Sequence, residues 1–492
     1  MKERYLTILE VSQKQAYIFQ SNELRSNILN SAVIAWIMSE DYMEKTIQDV
    51  SLFESDRNLV YSGGGHTVLE FETKDKAVLF TKKITTAVKK EYQGIEIFAV
   101  TQQYDTRLTP GENLKELVKV LEHKKSIRAS TFRQGSFGVE RINKNTLKPM
   151  LEGETLERTS RVKMPDTEEK IDRELTAEGF QRVYKFEELG GSKDKSNFIA
   201  VVHIDGNAMG KRVENLREKY EGCQWKEYKD ILRKFSSSID DQFKEAYKEM
   251  AECVAGNVRA GKLDALDIKE NKLPVRRIIT AGDDICFVAE GRIGLECAAA
   301  FIYALGRKEN PVDKESYAAC AGVAILHQKY PFYKAYELAE LLCSNAKKFG
   351  ASLSEDGSGK DVSAIDWHIE FGEIKDTLEE IRKAYYDADG RMMLQRPYVL
   401  DASEKILEME PLRRYENFRN LISEIQKEEN YAKGSLKELR SVLKQGEKET
   451  EYYLRFHQIE TLLKERLQDN FDLLYDAVEL IDTFVQLEEE NN

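Results

Sequence analysis

Three aspartates are spaced for metal-assisted chemistry on phosphates. Asp283 and Asp284 stand together in Ala281-Gly282-Asp283-Asp284, between the strand-like runs Arg277–Thr280 and Ile285–Val288. That pattern predicts a β-hairpin with both carboxylates at its turn. Asp205 closes an upstream apolar run, Phe198–Ile204. Phosphoryl and nucleotidyl transfer gather negative charge around the attacked phosphorus, and divalent ions neutralise it. Mg2+ or Mn2+ takes carboxylate and phosphate oxygens as ligands. Asp205, Asp283 and Asp284 are therefore the candidate catalytic and metal-ligating residues. Gly282 lets the turn form and a triphosphate approach the backbone. A Gly-Asp-Asp alone says little, because both residue types favour turns. The flanking strands and the upstream acid make the set specific.

The elements that must position these acids form an internal repeat. Residues 4–103 read as strand, helix, strand, turn, strand, helix, strand. The first strand is Tyr5–Val11, and a helix follows with Leu24, Ile28, Leu29, Ala32, Trp36 and Ile37 on one face. A hairpin runs through Ser62-Gly63-Gly64-Gly65-His66; a helix near 75–91 and a strand at Ile95–Val100 complete the unit. Residues 197–348 repeat this order, with helices near 224–256, 291–306 and 333–348 and a last strand at Ala318–Ile325. Each half is a ferredoxin-like βαββαβ unit, whose sheet sets the end of the first strand beside the hairpin turn. Matched by pattern, Asp205 falls on Ser12, and Asp283 and Asp284 fall on Gly64 and Gly65. The second unit then carries three acids and the first none.

The predicted fold class is α+β, with two ferredoxin-like palms, a helical linker and a C-terminal helical domain. The expected divisions are 1–105, 106–195, 196–371 and 372–492. In the last of these, Tyr452, Phe456, Ile459, Leu463 and Leu467 share one helical face. Gly63, Gly64 and Gly65 suit either a plain hairpin end or a nucleotide lying on the backbone. Lys347 reads first as a helix-end lysine in favourable contact with the dipole, with a triphosphate ligand as the alternative. Gly357-Ser358-Gly359-Lys360 lacks the upstream glycine of a P-loop and reads as a mobile loop.

Composition excludes other classes. The chain has 492 residues, 41% hydrophobic and 33% charged, with net charge −13. That balance predicts a soluble, cytoplasmic protein without the basic field of a dedicated nucleic-acid binder. The basic run His123–Arg128 reads as a solvated helix end. No apolar run approaches the ~18 residues of a membrane span, and the start lacks a secretory signal. Six scattered cysteines form no C-x-x-C pair, so a zinc ribbon is not expected.

An ordered set of motifs resembles the large palm-containing subunit of type III CRISPR effector complexes, or a standalone relative. Gln15–Phe19 with Asn22–Arg25 resembles the family's first-palm opening, and Ser62–His66 its glycine-rich turn. Asp205-Gly206-Asn207-Ala208-Met209-Gly210-Lys211 resembles its metal-binding strand end, and Ala281–Asp284 its Gly-Gly-Asp-Asp motif. Ala321–Ala324, Ala346-Lys347, Ile365–His368 and Arg396–Tyr398 follow in order. The resemblance implies two facing palms and ATP converted to cyclic oligoadenylate, a messenger in antiviral defence. It implies a metal set of Asp205, the Ile204 carbonyl, Asp283 and Asp284. The implied nucleotide contacts are Gly63, Gly64, Gly65, Gly206, Asn207, Gly282 and Lys347. Implied partners are ATP or another NTP, with type III subunits and target RNA or a second copy of the chain, and no membrane. The chain opens in the first palm, so no HD nuclease is expected. Ala281 replaces the motif's first glycine, and the family's zinc-binding cysteines are absent. The rival readings are a catalytically silent scaffold and a GTP-using cyclase, whose aromatic after the acids is Ile285 here.

Overall fold

The computed structural model describes residues 3–92, 94–127, 138–142, 149–150, 163–191, 197–269, 271–372, 375–427, 433–458 and 470–488. The first sheet holds β1 (Tyr5–Val11), β2 (Leu59–Gly63), β3 (His66–Phe71) and β4 (Ile97–Gln103), in the order β2-β3-β1-β4. Its helices are α1 (Lys14–Ile18), α2 (Leu24–Met38) and α3 (Lys74–Glu91). Alternation along β1 decides what each face meets. Leu6 and Ile8 pack with Leu117 and Leu121 of α4 (Pro110–Ile127), whereas Leu9 and Val11 join the main core with Phe80 and Ile84 of α3. The structure thus sets α4 on the first sheet itself, although the sequence assigns it to a linker.

The second sheet repeats the order and extends it. β5 (Phe198–Gly206), β6 (Val275–Ala281), β7 (Asp284–Glu290) and β8 (Ala319–His327) give β6-β7-β5-β8. β9 (Ser363–Glu370) then adds parallel to β8, and β10 (Tyr398–Asp401) adds antiparallel to β9. Between them in sequence come α5 (Asp166–Glu174) ahead of β5, then α6 (Met209–Lys219), α7 (Trp225–Arg259), α8 (Gly294–Gly306) and α9 (Phe332–Leu353). β5 is buried on both faces from Ile199 to Ile204, and its sequence there is apolar except at His203. The order β2-β3-β1-β4 recurs as β6-β7-β5-β8, which bears out two ferredoxin-like units.

The palms clasp each other. α7 is 35 residues long. Its Trp225, Tyr228 and Leu232 lie in the first palm's core, and its Phe243, Ala246 and Met250 in the second's. α7 packs along β2, and α2 packs along β6, so one edge strand of each palm is covered by a helix of the other. α5 closes the far side of β6. Asp172 accepts from Arg276 at 2.6 and 2.7 Å and from Arg182 at 2.9 Å. Burial alone would raise this carboxyl, but those arginines pull it down to about 2.

The C-terminal region is not wholly helical. β10 lies beyond the expected boundary at 371 and completes the second palm's sheet. Arg396 ties it to α13 (Phe471–Glu479), donating to Asp476 at 2.9 Å and Glu479 at 2.6 Å. α10 (Tyr415–Lys427) and α11 (Lys433–Leu443) pack on α13, and α12 (Glu447–Phe456) packs on α11. In α12 the inward residues are Thr450 and Leu454, while Tyr452 and Phe456 stay exposed. The face read from Tyr452 and Phe456 is therefore the outer one, and Ile459, Leu463 and Leu467 lie outside the described residues. Among the described residues no helix is long and apolar enough to cross a membrane. All six cysteines are free thiols.

Candidate active site

Register builds the site. Asp205 of β5 stands directly opposite Asp284 of β7 and Cys320 of β8. Residues opposite each other in an antiparallel pair project from one face, so Asp205, Asp284 and His203 share a face, and α9 lies over it. Lys347 Nζ donates to Asp205 Oδ2 at 2.6 Å and to the Gly206 carbonyl at 2.8 Å. The sequence ends this helix near Lys348, but it runs to Leu353, which puts Lys347 well inside and over the acid. His203 Nδ1 lies 3.5 Å from Asp284 Oδ1 without forming a hydrogen bond, and both atoms are enclosed and unpartnered. Burial holds the His203 imidazole below its ordinary value, which favours its neutral form.

Asp283 takes the other face of the turn. Gly282 at φ +67° supplies the left-handed conformation the turn requires. A side chain at Gly206 would meet the Asp283 Cβ at 2.9 Å, so glycine is what lets the strand end and the turn touch. The Gly206 amide donates to the Asp283 carbonyl at 3.1 Å. Burial and then the charge of Asp205 push Asp283 up to about 6 and Asp284 up to about 7. Asp284 keeps 40% of its side chain open while Oδ1 is enclosed.

The other expected contacts divide. Ile204 sits mid-ladder between Ile285 and Ala321, one residue before Asp205. Asn207 is buried, and its amide donates to the Gly359 and Val362 carbonyls at 3.1 and 2.7 Å. It holds the 357–360 loop, which Lys211 also fastens through Asp356 at 2.8 Å. That loop, read from sequence as mobile, is thus anchored. Gly64 lies against Gly282, its amide nitrogen 4.0 Å from where a Gly282 side chain would begin. The two hairpin turns therefore meet tip to tip, with a cavity on either side. One, of about 420 Å³, is lined by Tyr61, Gly63, His66, Tyr228, Ser236 and Asp283. The other, of about 520 Å³, is lined by Lys14, Gly64, Gly65, Arg277, Thr280 and Asp284.

Register also corrects the matching of the two halves. Gly63 pairs with His66 as Ala281 pairs with Asp284, and Glu10 pairs with His66 as Asp205 pairs with Asp284. Asp205 therefore corresponds to Glu10, not Ser12, and Asp283 and Asp284 to Gly65 and His66. Gln13 and Ala208, each three residues on, share the left-handed conformation with φ of 50° and 53°. The first palm thus keeps one acid, and Lys125 of α4 donates to Glu10 at 3.1 Å as Lys347 does to Asp205. The sequence reading missed Glu10, Lys125, His203 and Lys14. Equal spacing from each strand-end acid to the turn before the next helix was the available signal for Glu10.

A divalent ion fits two of the acids. Among the described residues no three His, Cys, Asp or Glu side chains form a ready-made metal cage. Mg2+ is commonly held by one or two carboxylates together with substrate phosphates. Asp205 facing Asp284, with Oδ1 of Asp284 unpartnered, offers that donor set.

Two interlocked palms with an acid pair on one of them define a double-palm fold. Residues 198–352 match the family Cas10/Cmr2, second palm domain. Solved structures share the fold over nearly the whole chain. The Csm1–Csm4 cassette in complex with cA4 has TM-score 0.54 and 14% identity, covering 99% of this chain and 70% of that one. The same cassette in complex with pppApApA has TM-score 0.53 and 14% identity, covering 97% and 70%. Csm1 in T.onnurineus has TM-score 0.52 and 14% identity, covering 99% and 70%. No curated protein matches the chain.

Proposed function

We propose that this protein is a metal-dependent nucleotidyltransferase that converts ATP into a cyclic oligoadenylate or a related cyclic nucleotide. The observation that carries the reading is Asp205 opposite Asp284 on one sheet face, with Lys347 over Asp205. Asp205 and Asp284 would hold Mg2+ or Mn2+, which when bound neutralises charge on the phosphates and activates the attacking hydroxyl. Lys347 offsets the charge of Asp205 before substrate arrives. The glycines of the two turns admit phosphate to the backbone, and the paired cavities are each large enough for a nucleotide. The 3′-oxygen of one nucleotide attacks the α-phosphorus of the next, pyrophosphate leaves, and the hydroxyl proton passes to solvent or a nearby carboxylate. Partnership with other type III subunits and target RNA belongs to the same proposal; the cassettes of similar fold pair Csm1 with Csm4.

The test is incubation of purified protein with each NTP and Mg2+ or Mn2+, products being resolved by mass spectrometry. A cyclic product that disappears in Asp283→Ala/Asp284→Ala supports the synthase. Unchanged product in that variant removes the active-site assignment. Metal-dependent nucleotide binding without product, also in the presence of target RNA and partner subunits, favours a silent scaffold.

A further inference from the structure

The first palm places one of its own cations in the second palm's chamber. Lys14 opens α1, and its Nζ donates to the Gly64 carbonyl at 2.5 Å. The aliphatic stem lies across Gly65, where an added side chain would meet Lys14 Cδ at 2.5 Å. Glycine at that position, with φ +77°, is what opens the path. Lys14 is half-buried and lines the 520 Å³ cavity with Asp284 and Thr280. Among the described residues it makes no ion pair, whereas the other cations nearby are engaged. Arg277 is turned toward Asp172 at 3.5 Å and Thr280 at 2.5 Å, and Lys347 is on Asp205. α1 is seated against the second palm by Gln15, whose amide donates to the Tyr336 hydroxyl and to Glu340 at 3.1 and 3.0 Å.

We propose that Lys14 binds the triphosphate of the nucleotide facing Asp205 and Asp284, so that the first palm supplies a charge the acid centre lacks. This rests on the nucleotidyltransferase reading. A chamber walled by Asp284 and Glu168 repels polyphosphate unless a cation stands in it, and lysine is a compact point charge suited to phosphate oxygens. The Gly64 carbonyl is a placeholder that an incoming phosphate displaces.

The experiment compares binding of α,β-methylene-ATP, which cannot be transferred, with binding of AMP, in Mg2+, by calorimetry. Wild type, Lys14→Gln and Lys14→Arg are used, with melting curves to establish folding. Loss of a charged hydrogen bond should weaken the triphosphate about 10- to 100-fold in Lys14→Gln and leave AMP unchanged. Lys14→Arg should recover part of the loss. Folded Lys14→Gln that keeps the wild-type ratio of the two affinities overturns the proposal for Lys14 alone. Wild type that binds neither nucleotide overturns the nucleotidyltransferase reading beneath it and the proposal with it.

Discussion

Replacing Asp284 by asparagine should stabilise the protein while abolishing transfer. Asp284 rises from an ordinary value of 3.8 to about 7, through burial first and then the charge of Asp205. A rise of that size corresponds to about 4 kcal/mol. Because 40% of the side chain is open, solvent screening discounts this to about 1–2 kcal/mol. The sign follows from linkage. The folded state holds the proton more tightly than the unfolded chain, so the ionised carboxylate penalises folding. That penalty is complete above pH 7 and vanishes below about pH 4. Asparagine removes it, so the metal-free variant should melt higher than wild type at pH 8 and equally at pH 4. For a unit of one palm's size, the gain is about 2–4 °C per kcal/mol. Added Mg2+ should narrow the gap by raising wild type alone. Scanning calorimetry in chelator and in Mg2+, with product assays alongside, checks this. A variant that melts at or below wild type at pH 8 refutes the argument that this acid is strained.

Asp172→Ala should cost about 3–5 kcal/mol, because it leaves the buried Arg276 without its counter-ion; urea unfolding measures it, and a loss under 1 kcal/mol would show that water takes over. Burial and then the charge of Lys14 hold His66 down to about 4, so its neutral form contributes stability that is complete above about pH 6.5 and is lost as pH falls toward 4. His66→Gln should flatten the melting temperature between those values, and an unchanged slope would place the acid sensitivity elsewhere.

How much the sequence disclosed depends on whether a feature is local. Val201, Val202 and Ile204 announce a buried strand by type alone, and the hairpin at Gly282 announces its turn. Ala281, Gly282 and Asp283 were therefore legible together with the fold of both palms. The pairing of Asp205 with a residue of the first half was not. Counting from a strand's start slips by one or two residues, whereas the ladder fixes Glu10 against His66. Nor does helical periodicity tell an inner face from an outer one when both carry aromatics. Tyr452 and Phe456 obey the spacing and face outward, while Thr450 and Leu454 do the packing. β10 was missed because four residues are too few to show alternation. Lys14 could not be found from spacing, since its partner carbonyl lies fifty positions away in the chain.

The mutual cover of edge strands has a consequence for how the chain is made. A bare strand edge invites pairing with any other chain. During synthesis the first palm emerges with β2 unprotected, and its cover, α7, begins only at Trp225. The second palm's β6 meets α2 of a neighbour already made. For these two edges the hazard is confined to the interval between the two halves, and a chain cut between residues 127 and 197 would make it permanent: each fragment would carry an open edge and self-associate.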